Sequence, residues 1–353
     1  MYLIIDGSSL LSTNYYGTIP IDVMKAKTDE EKDKAYKKIM QTSDGVYTNG
    51  VFSSLRSVLR MIEDQNPEGI AVCFDVSKDT FRRTIYSDYK GQRGETPNPL
   101  KEQFGTFNKI LTEIGIPTFY SHEYEADDLA GSIAKTIEKL GGKCAVISAD
   151  KDYYQLVSEK TDFWRIIPSP AKKKYENLYG INFNKYSKDN NLPAGIFKID
   201  LSTGIIADKE IIHITPTQFI DYLAVVGDKV DNIPGVNLVG PNTIVPLLQK
   251  YGSLENIYDT IKQAEKDGKL DELASEIKSI GVKKNPIKSF IEHEDDARMS
   301  KLLAKINCSC NVPNNINDYK LDLDYNKLEE VIDRYEFKSL KDFIKEQEFE
   351  IER

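Results

Sequence analysis

The sequence predicts an α/β fold in which a central, mostly parallel sheet is covered by helices on both faces. Short apolar runs alternate with amphipathic stretches through the first half of the chain, whereas most of the second half has helical periodicity. Acidic residues follow several of the apolar runs, as expected where parallel strands end at one edge of a sheet. Because 353 residues are enough for two domains, we predict an α/β domain over 1–215 and a helical region over 216–353.

The strands and their covering helices alternate along the first half. The predicted strands are YLII (2–5), GIAVCF (69–74), IPTFY (116–120) and CAVIS (144–148). The predicted helices between them are VFSSLRSVLRMI (51–62), LKEQFGTFNKILTEIG (100–115) and ADDLAGSIAKTIEKLGG (126–142). After these, FWRIIP (163–168) followed by KKKYENLYG (172–180) predicts a hairpin or edge strands, with Pro168 and Pro170 in the turn.

Two stretches, near 22–46 and 182–214, look like insertions. The first contains a capping-box start at Thr28–Glu31 and few apolar residues, which predicts a helix on the surface. The second is rich in Asn, Lys and Asp and has no clear period, so no structure is predicted for it. Beyond it the predicted helices are TQFIDYLAVVGD (217–228), GPNTIVPLLQKYG (240–252), SLENIYDTIKQAEKDG (253–268) and YNKLEEVIDRYEFKSLKDFIKEQ (325–347).

The composition argues against a secreted or membrane protein and against a site built from cysteine or histidine. Neither a secretory signal nor an apolar run long enough for a membrane span is evident, so we expect a cytoplasmic protein without a membrane partner. Four cysteines, two of them in a lone C-x-C at Cys308 and Cys310, do not indicate a zinc site. Three scattered histidines offer little for a His-based site. Chemistry is therefore expected from carboxylates, lysines or hydroxyls.

Acidic side chains recur where the predicted strands end. We expect nine of them to converge at one crevice: Asp6, Asp75, Glu125, Asp127, Asp128, Asp150, Asp152, Asp228 and Asp231. The last two, three positions apart, are expected on one side of a helix end. So many carboxylates repel one another unless cations neutralise them, and oxygen ligands select Mg²⁺ or Mn²⁺. Each acid alone also fits a turn or a helix N-cap; their recurrence favours a site for two ions roughly 4 Å apart.

The net charge of −9 argues against a nucleic-acid partner, but the distribution of charge weakens that objection. Basic residues cluster in one stretch: Arg82, Arg83, Lys90, Arg93 and Lys101. A localised basic stretch beside acids that metal ions would neutralise is compatible with binding to a phosphate backbone.

Four motifs in order carry a family resemblance: YEADD (124–128), SADKD (148–152), YKGQR (89–93) and GDKVDNIPG (227–235). With them the chain resembles the 5′-nuclease (flap endonuclease) family, which includes the N-terminal domain of bacterial DNA polymerase I and free-standing bacteriophage 5′-nucleases. The resemblance implies a PIN-like core, a helical arch near 78–104 and a C-terminal helix–three-turn–helix. It also implies a stand-alone nuclease.

The resemblance assigns roles to the acids and to the arch. The first metal site would comprise Asp6, Asp75, Glu125, Asp127 and Asp150, and the second Asp152, Asp228 and Asp231, with Asp128 and Asp150 close to both. Lys90 and Arg93 would steer the scissile phosphate as catalytic residues, and Tyr89 would stack on a base. An ammonium and a guanidinium beside a phosphate stabilise developing negative charge, and an aromatic face accepts an unpaired base.

The helix–three-turn–helix would grip duplex DNA through backbone amides, with a K⁺ ion possible in its turn. The DNA-binding residues implied are Gly235, Val236, Val239, Gly240, Asn242 and Thr243, together with Arg82 and Arg83 of the arch. Leu238 stands where a Gly is usual in the family, and Asn242 where a Lys is usual. Loss of that Lys should remove a phosphate contact and flatten the salt dependence of duplex binding.

The resemblance implies a 5′→3′ exonuclease and flap endonuclease acting with two Mg²⁺ ions, for which Mn²⁺ can substitute, in primer or flap removal during replication. Its partners would be DNA with a 5′ flap, nick or 5′ end, and possible replication proteins. We expect a monomer in a bacterial or phage-infected cell. A nuclease on RNA–DNA hybrids, a catalytically dead DNA-binding scaffold and a small-molecule phosphatase remain alternatives.

Overall fold

The computed structural model describes residues 1–193, 195–207 and 210–341. It contains the strands β1 (Tyr2–Asp6), β2 (Gly69–Asp75), β3 (Thr118–Ser121), β4 (Cys144–Ser148), β5 (Thr161–Ile166), β6 (Ile196–Ile199), β7 (Ile205–Ala207) and β8 (Glu210–Ile212). Six form one sheet in the order β3-β2-β1-β4-β5-β6, and β7 and β8 form a separate pair. The first five strands are parallel and β6 is antiparallel to β5, which confirms the predicted mostly parallel sheet.

Sixteen α-helices are present in the described part of the chain. They are α1 (Gly7–Thr18), α2 (Ile21–Lys25), α3 (Asp29–Tyr36), α4 (Asn49–Gln65), α5 (Phe81–Ile85), α6 (Asn98–Glu113), α7 (Ala126–Lys139), α8 (Lys172–Tyr179), α9 (Phe183–Asp189), α10 (Pro216–Val226), α11 (Pro241–Tyr251), α12 (Leu254–Lys266), α13 (Leu270–Ser279), α14 (Ile287–Glu292), α15 (Glu294–Ala304) and α16 (Tyr325–Arg334). Short 3₁₀ helices lie at Lys151–Leu156, Ser169–Ala171, Ile316–Tyr319 and Lys338–Leu340. None of the helices described is long and apolar enough to cross a bilayer.

The strands are apolar throughout because both faces of the sheet are covered. All five residues of β1 are buried, and alternate ones face opposite layers. Leu3 and Ile5 pack with α1, α4, α6 and α16, whereas Ile4 packs with α7 and the helical second half. Two hydrophobic layers therefore hold the sheet, and the carboxyl ends of its parallel strands are left to form a crevice at one edge.

The segment after β4 differs from its predicted hairpin. FWRI lies in β5, parallel to β4, and KKKYENLY forms α8. The helix buries Tyr175 and brings its ring within 6.4 Å of that of Tyr179, a helical spacing that the Lys-rich sequence obscures. The predicted edge strand is instead β6, which comes from the segment 182–214 for which nothing was predicted.

The predicted surface helix at the first insertion is confirmed as α3. Thr28 Oγ1 accepts a hydrogen bond from the amide of Glu31, and the Glu31 carboxylate accepts one from the amide of Thr28. This is a complete capping box, and the helix that follows buries only Ala35. The prediction succeeds because all the residues of the capping box lie within four consecutive positions of the sequence.

Two expectations about larger segments need correction. Between residues 78 and 97 the arch segment is helical only at α5 and otherwise consists of turns and loops. The chain after α15 does not stay with the helical region, because Lys320 bridges to Gly69 and Leu328 and Val331 of α16 lie in the layer beneath α6. The predicted helix over 325–347 is present as α16 to Arg334, and its part beyond 341 lies outside the described residues.

Candidate metal and nucleic-acid site

The strand ends bring three of the predicted acids to the crevice. Asp6 caps α1 through the amide of Ser9, at 2.8 Å, and its other oxygen accepts the Ser148 hydroxyl, at 2.9 Å. Burial, followed by the nearby Asp75, raises the pKa of Asp6 to about 7. Asp75 and Asp150 end β2 and follow β4, and both are exposed to the crevice. The predicted convergence of strand-end carboxylates therefore holds for these acids.

The start of α7 supplies the next group. Glu125 is the N-cap of this helix, and Asp75 Oδ1 accepts a hydrogen bond from the following amide, Ala126 N, at 2.8 Å. Glu125 is 7 % exposed, and although burial opposes ionisation, Lys90 and Arg82 hold its pKa below the usual value. Burial raises the pKa of Asp127 well above its usual value, against the opposing effect of Arg82.

Asp128 and Arg82 do not take the roles predicted for them. Asp128 is fully buried, and its two oxygens accept hydrogen bonds from Arg82 Nη1 and Nη2 at 2.7 and 2.8 Å. The same oxygens accept the amides of Glu125 and Asn307, which leaves no oxygen turned toward the crevice. Arg82 is 1 % exposed and cannot reach DNA. The assignments of Asp128 as a metal ligand and of Arg82 as a DNA contact are corrected to a buried ion pair.

Lys90 and Arg93 reach over the crevice from the arch segment. Lys90 Nζ lies 2.7 Å from Glu125 and 3.8 Å from Asp231, and Arg93 Nη2 lies 2.5 Å from Asp231. The amide of Lys90, which has a φ of 53°, donates to the carbonyl of Asp231 at 2.9 Å. Both cations thus lie beside the predicted metal ligands, where a phosphate bound to the crevice would meet them.

Tyr89 is placed differently from the expectation. Its ring is 3 % exposed, and its hydroxyl lies 3.2 Å from Glu125 and 3.3 Å from Asp231. Burial, together with these two carboxylates, raises the pKa of the phenol. Buried in this way, the ring offers no open face for a base, so the predicted stacking role is corrected to a hydrogen bond within the acidic cluster.

Asp228 and Asp231 lie in a turn rather than at a helix end. Helix α10 ends at Val226, and a two-residue bridge between Asp228 and Ile233 closes the turn. Asp228 Oδ1 accepts the amides of Val230 and Asp231, at 2.7 and 3.3 Å. The helix prediction for this pair is therefore wrong, because the glycine after Val226 stops the helix, but both acids still face the crevice group.

Lys151 is a member of the site that the sequence reasoning missed. Its ammonium lies 2.5 Å from Asp228 and 3.2 Å from Asp152. Burial and the neighbouring Asp150 raise the pKa of Asp152 to about 7, whereas Lys151 holds the pKa of Asp228 down against the effect of burial. The position of Lys151 between Asp150 and Asp152 in SADKD was the available signal.

The cluster does not form a ready-made metal site. Within the described ranges, no group of three or more His, Cys, Asp or Glu side chains is arranged to hold a metal ion. Carboxylate oxygens are instead paired with Lys90, Arg93 and Lys151. The nine predicted acids nevertheless outnumber Arg82, Lys90, Arg93 and Lys151, and burial together with a neighbouring carboxylate raises the pKa of Asp6 and of Asp152. Hard oxygen donors with uncompensated charge fit Mg²⁺ or Mn²⁺.

The turn between α10 and α11 is built tightly onto the same cluster. Three of its predicted DNA-binding amides are used inside the protein: Gly235 N donates to Ser300 Oγ, Val236 N to the Val225 carbonyl and Val239 N to the Val236 carbonyl. The side chains of Val236 and Val239 are buried. A contact of these three residues with DNA is therefore not supported in this conformation.

The exposed part of that turn remains open to a partner. Leu238 is 86 % exposed and has a φ of 63°, a conformation that favours glycine. Asn242 is exposed and Thr243 and Gly240 half-buried at the start of α11, whose N-terminus is a natural phosphate seat. Arg83 is a third exposed, and it bonds to the carbonyl of Tyr89 and to Asp79.

Comparison with known proteins follows this architecture. Residues 1–184 match the family described as 5′-3′ exonuclease, N-terminal resolvase-like domain, and 214–329 match its C-terminal SAM fold. A 5′-3′ exonuclease of Aquifex aeolicus is 33% identical over 254 residues, covering 72% of this chain and 71% of that protein. DNA polymerase I of Streptococcus pneumoniae is 31% identical over 340 residues, or 96% of this chain, and the chain spans only 32% of the polymerase.

A solved structure shows the same fold at low identity. It is that of the bacteriophage T5 flap endonuclease in a pseudo-enzyme-product complex with DNA and metal ions, with a TM-score of 0.53 and 18% identity over 98% of this chain and 99% of that one. This likeness confirms the predicted PIN-like arrangement of sheet, helices and helical second half. Since the exonuclease N-terminal domain matches half of the chain and a relative of similar length is 33% identical, this protein belongs to the 5′-3′ exonuclease family.

Proposed function

We propose that this chain is a divalent-metal-dependent 5′-nuclease that hydrolyses phosphodiester bonds in DNA with a 5′ flap, nick or 5′ end. The observation that carries the proposal is the meeting of strand-end carboxylates with Lys90 and Arg93 at one crevice. Family membership supports the reaction class. The T5 flap endonuclease, whose fold this chain shares, was solved with DNA and metal ions, which supports both the substrate and the cofactor.

Eight of the nine predicted acids are offered as metal ligands, and Asp128 is not. The first group is Asp6, Asp75, Glu125, Asp127 and Asp150, and the second is Asp152, Asp228 and Asp231. Two Mg²⁺ ions held there would stabilise charge on the scissile phosphate and lower the pKa of the attacking water. The K⁺ site in the turn before α11 remains a prediction.

Lys90 and Arg93 bind and orient the phosphate. In the structure they are paired with Glu125 and Asp231, so a phosphate entering the crevice exchanges one anionic partner for another. The guanidinium presents two parallel donors to phosphate oxygens, whereas the ammonium acts as a compact charge. Lys90 Nζ lies 2.7 Å from Glu125, the N-cap of α7, and we assign this cation to the reacting phosphate.

Replacement of Asp150 by Ala tests the metal assignment. We expect this variant to lose cleavage of a 5′-labelled flap substrate in Mg²⁺ while still binding the DNA, because Asp150 is exposed to the crevice and its loss removes a ligand rather than a core contact. The matched control is Glu159→Ala, an exposed acid at the opposite edge of the sheet. Turnover by the Asp150 variant at the wild-type rate would refute the assignment.

The substrate is ranked by the same assay. Cleavage of the flap is compared with that of a blunt duplex and an RNA–DNA hybrid, each in Mg²⁺ and in EDTA. Release of the flap near its junction supports the proposal, preference for the hybrid supports the RNA-directed alternative, and cleavage of none of the three supports a scaffold. We further propose that the enzyme acts in the bacterial cytoplasm alongside replication proteins, in keeping with its DNA polymerase I relatives.

Lys90→Ala tests whether Lys90 acts on the reacting phosphate or only contributes to DNA binding. We expect this change to reduce kcat by roughly a hundredfold or more while raising the Kd for flap DNA only a few fold, because the ammonium lies at the reacting end of the crevice. Single-turnover cleavage and fluorescence anisotropy supply the two values. Equal losses in rate and affinity would make Lys90 a simple phosphate anchor.

A further inference from the structure

Arg82 is the most completely satisfied charged side chain in the crevice region. Its five N–H donors make five hydrogen bonds: Nε to the Leu303 carbonyl (2.9 Å), Nη1 to Asp128 (2.7 Å) and Glu125 (3.4 Å), and Nη2 to Asp128 (2.8 Å) and the Lys305 carbonyl (3.1 Å). The guanidinium also lies 4.8 Å from the centre of the Phe81 ring. At 1 % exposure it is a buried cation whose hydrogen-bond partners come from two distant parts of the chain, the start of α7 and the end of α15.

These contacts join the arch segment, helix α7 and the helical second half. Arg82 belongs to α5 at the base of the arch, its carboxylate partners open α7, and its carbonyl partners end α15. Asp128 links the same two segments, because it accepts hydrogen bonds from the amide of Asn307 at 2.8 Å and from that of Glu125 at 3.1 Å. The orientation of Glu125 is thereby tied to the position of the segment 303–307.

The same segment is held from a second side by Gln155. Its side-chain oxygen accepts the amide of Ile306 at 2.8 Å, and its nitrogen donates to the Ala304 carbonyl at 3.0 Å. Gln155 lies in the 3₁₀ helix that begins with Lys151 and Asp152. Glu125 of the first proposed ligand group and the 3₁₀ helix that carries Asp152 of the second are thus both connected to the segment 303–307.

We propose that Arg82 is a positioning residue, which sets Glu125 and Asp127 for metal binding by fixing the start of α7 to the segment 303–307. It touches neither solvent nor DNA, so it acts through the carboxylates it holds. This inference rests on the proposed metal-dependent nuclease function. Groups that orient metal ligands in this way commonly change metal affinity by roughly 10- to 100-fold when they are replaced.

Arg82→Lys is the first test, because it keeps the charge and removes the planar fork. We expect the Mn²⁺ affinity of the protein without DNA, measured by calorimetry, to fall roughly tenfold or more, with kcat falling in parallel and the KM for flap DNA changing less than threefold. The matched control is Arg334→Lys, which breaks a two-bonded arginine–carboxylate pair with Glu113 far from the crevice and should alter neither value.

Gln155→Leu is the second test and changes no charge. If the segment 303–307 transmits position, loosening it should lower Mn²⁺ affinity several fold while urea unfolding shows a folded protein. This variant keeps the proposal testable even where Arg82→Lys fails to fold. Mn²⁺ affinity within twofold of wild type in Gln155→Leu would overturn the proposal.

Other outcomes are equally decisive. Unchanged Mn²⁺ affinity in a folded Arg82→Lys variant, with weaker DNA binding, would show that Arg82 supports the DNA-binding surface rather than the metal ligands and would overturn the proposal. Unchanged metal affinity and unchanged rate, with lower stability alone, would make it a purely structural ion pair. If the wild-type protein itself binds no Mn²⁺ and cleaves no flap, the proposed function fails, an outcome distinct from failure of the Arg82 inference.

Discussion

Asp6 shows how one buried carboxylate links the stability of the metal-free protein to pH. Its side chain is 7 % exposed, and burial beside Asp75 raises its pKa to about 7 from an ordinary value of 3.8. The folded state therefore binds a proton between about pH 4 and pH 7 that the unfolded state has released. The contribution of Asp6 to stability in EDTA should accordingly fall as pH rises through that range, and it should be greatest below it.

Asp6→Asn should remove much of this slope. The amide keeps the contacts with Ser9 and Ser148 but carries no charge, so we expect the variant in EDTA to be more stable than wild type at pH 8 by about 1–3 kcal/mol. The difference should vanish near pH 4, and Asp152 should supply the remaining slope. Urea unfolding at several pH values gives the comparison; an unchanged slope in Asp6→Asn would contradict it.

Leu238 is a large apolar residue that lies exposed and has a backbone conformation favoured by glycine. A leucine at a φ of 63° is strained, and at 86 % exposure little burial is lost when its side chain is removed. Leu238→Gly should therefore raise the free energy of unfolding by up to about 1 kcal/mol. The control is Leu302→Gly, an exposed leucine in α15, which should lower it by about 1 kcal/mol. Equal losses in the two variants would exclude backbone strain at Leu238.

The turn after α10 requires glycine at position 227 for two reasons, its backbone angles and the lack of space for a Cβ atom. Its φ of 73° and ψ of 179° belong to a region that is almost exclusively glycine, and an added Cβ would lie 2.5 Å from the Ile233 carbonyl oxygen. Gly227→Ala should lower the free energy of unfolding by about 2–4 kcal/mol and disturb Asp228 and Asp231. Gly180→Ala, at a φ of 67° with nothing near its Cβ, should cost about 1 kcal/mol. Urea unfolding of both variants separates steric clash from strain, and equal losses would contradict the difference.

Elements with a strong local period were predictable from the sequence, and elements that depend on partners were not. The strands YLII, GIAVCF and CAVIS and the helix α7 were predicted because burial on both faces or on one face leaves a clear pattern. Strand β6 is only four residues long and is stabilised by pairing with β5, so nothing in its own sequence marks it. Helix α8 was missed because Tyr175 is its one buried residue and follows three lysines, so the segment shows no apolar helical period.

The candidate site was predictable in its residue types and less so in its contacts. The strand order places Asp6, Asp75 and Asp150 at one edge, as the alternation of strands and helices implied. The burial of Arg82 and the role of Lys151 follow from contacts between residues far apart in sequence, which neither periodicity nor composition reports. The sequence alone does not distinguish a buried, paired cation such as Arg82 from an exposed one in the same basic stretch.

The balance of charge across the whole protein predicts how DNA binding depends on metal ions. The net charge is −9, and part of it faces the crevice where phosphates would lie. Without metal ions these acids repel DNA, so Asp150→Asn should strengthen binding of flap DNA in EDTA by roughly threefold. Glu159→Gln makes the same change in net charge at the opposite edge and should have no such effect. Anisotropy titrations at low and high salt measure both variants, and the gain should shrink at high salt; equal gains would show that net charge alone matters.

The carbonyl groups that complete the hydrogen bonding of Arg82 lie 221 and 223 positions further along the chain. A ribosome adding about 5–20 residues per second makes that stretch in about 10–45 s. Throughout this interval the buried guanidinium would lack two acceptors, a state that disfavours the native arrangement of Glu125 and Asp128. The candidate site is therefore completed late in synthesis, and a growing chain contains most of the acids of that site well before Arg82 can fix their positions.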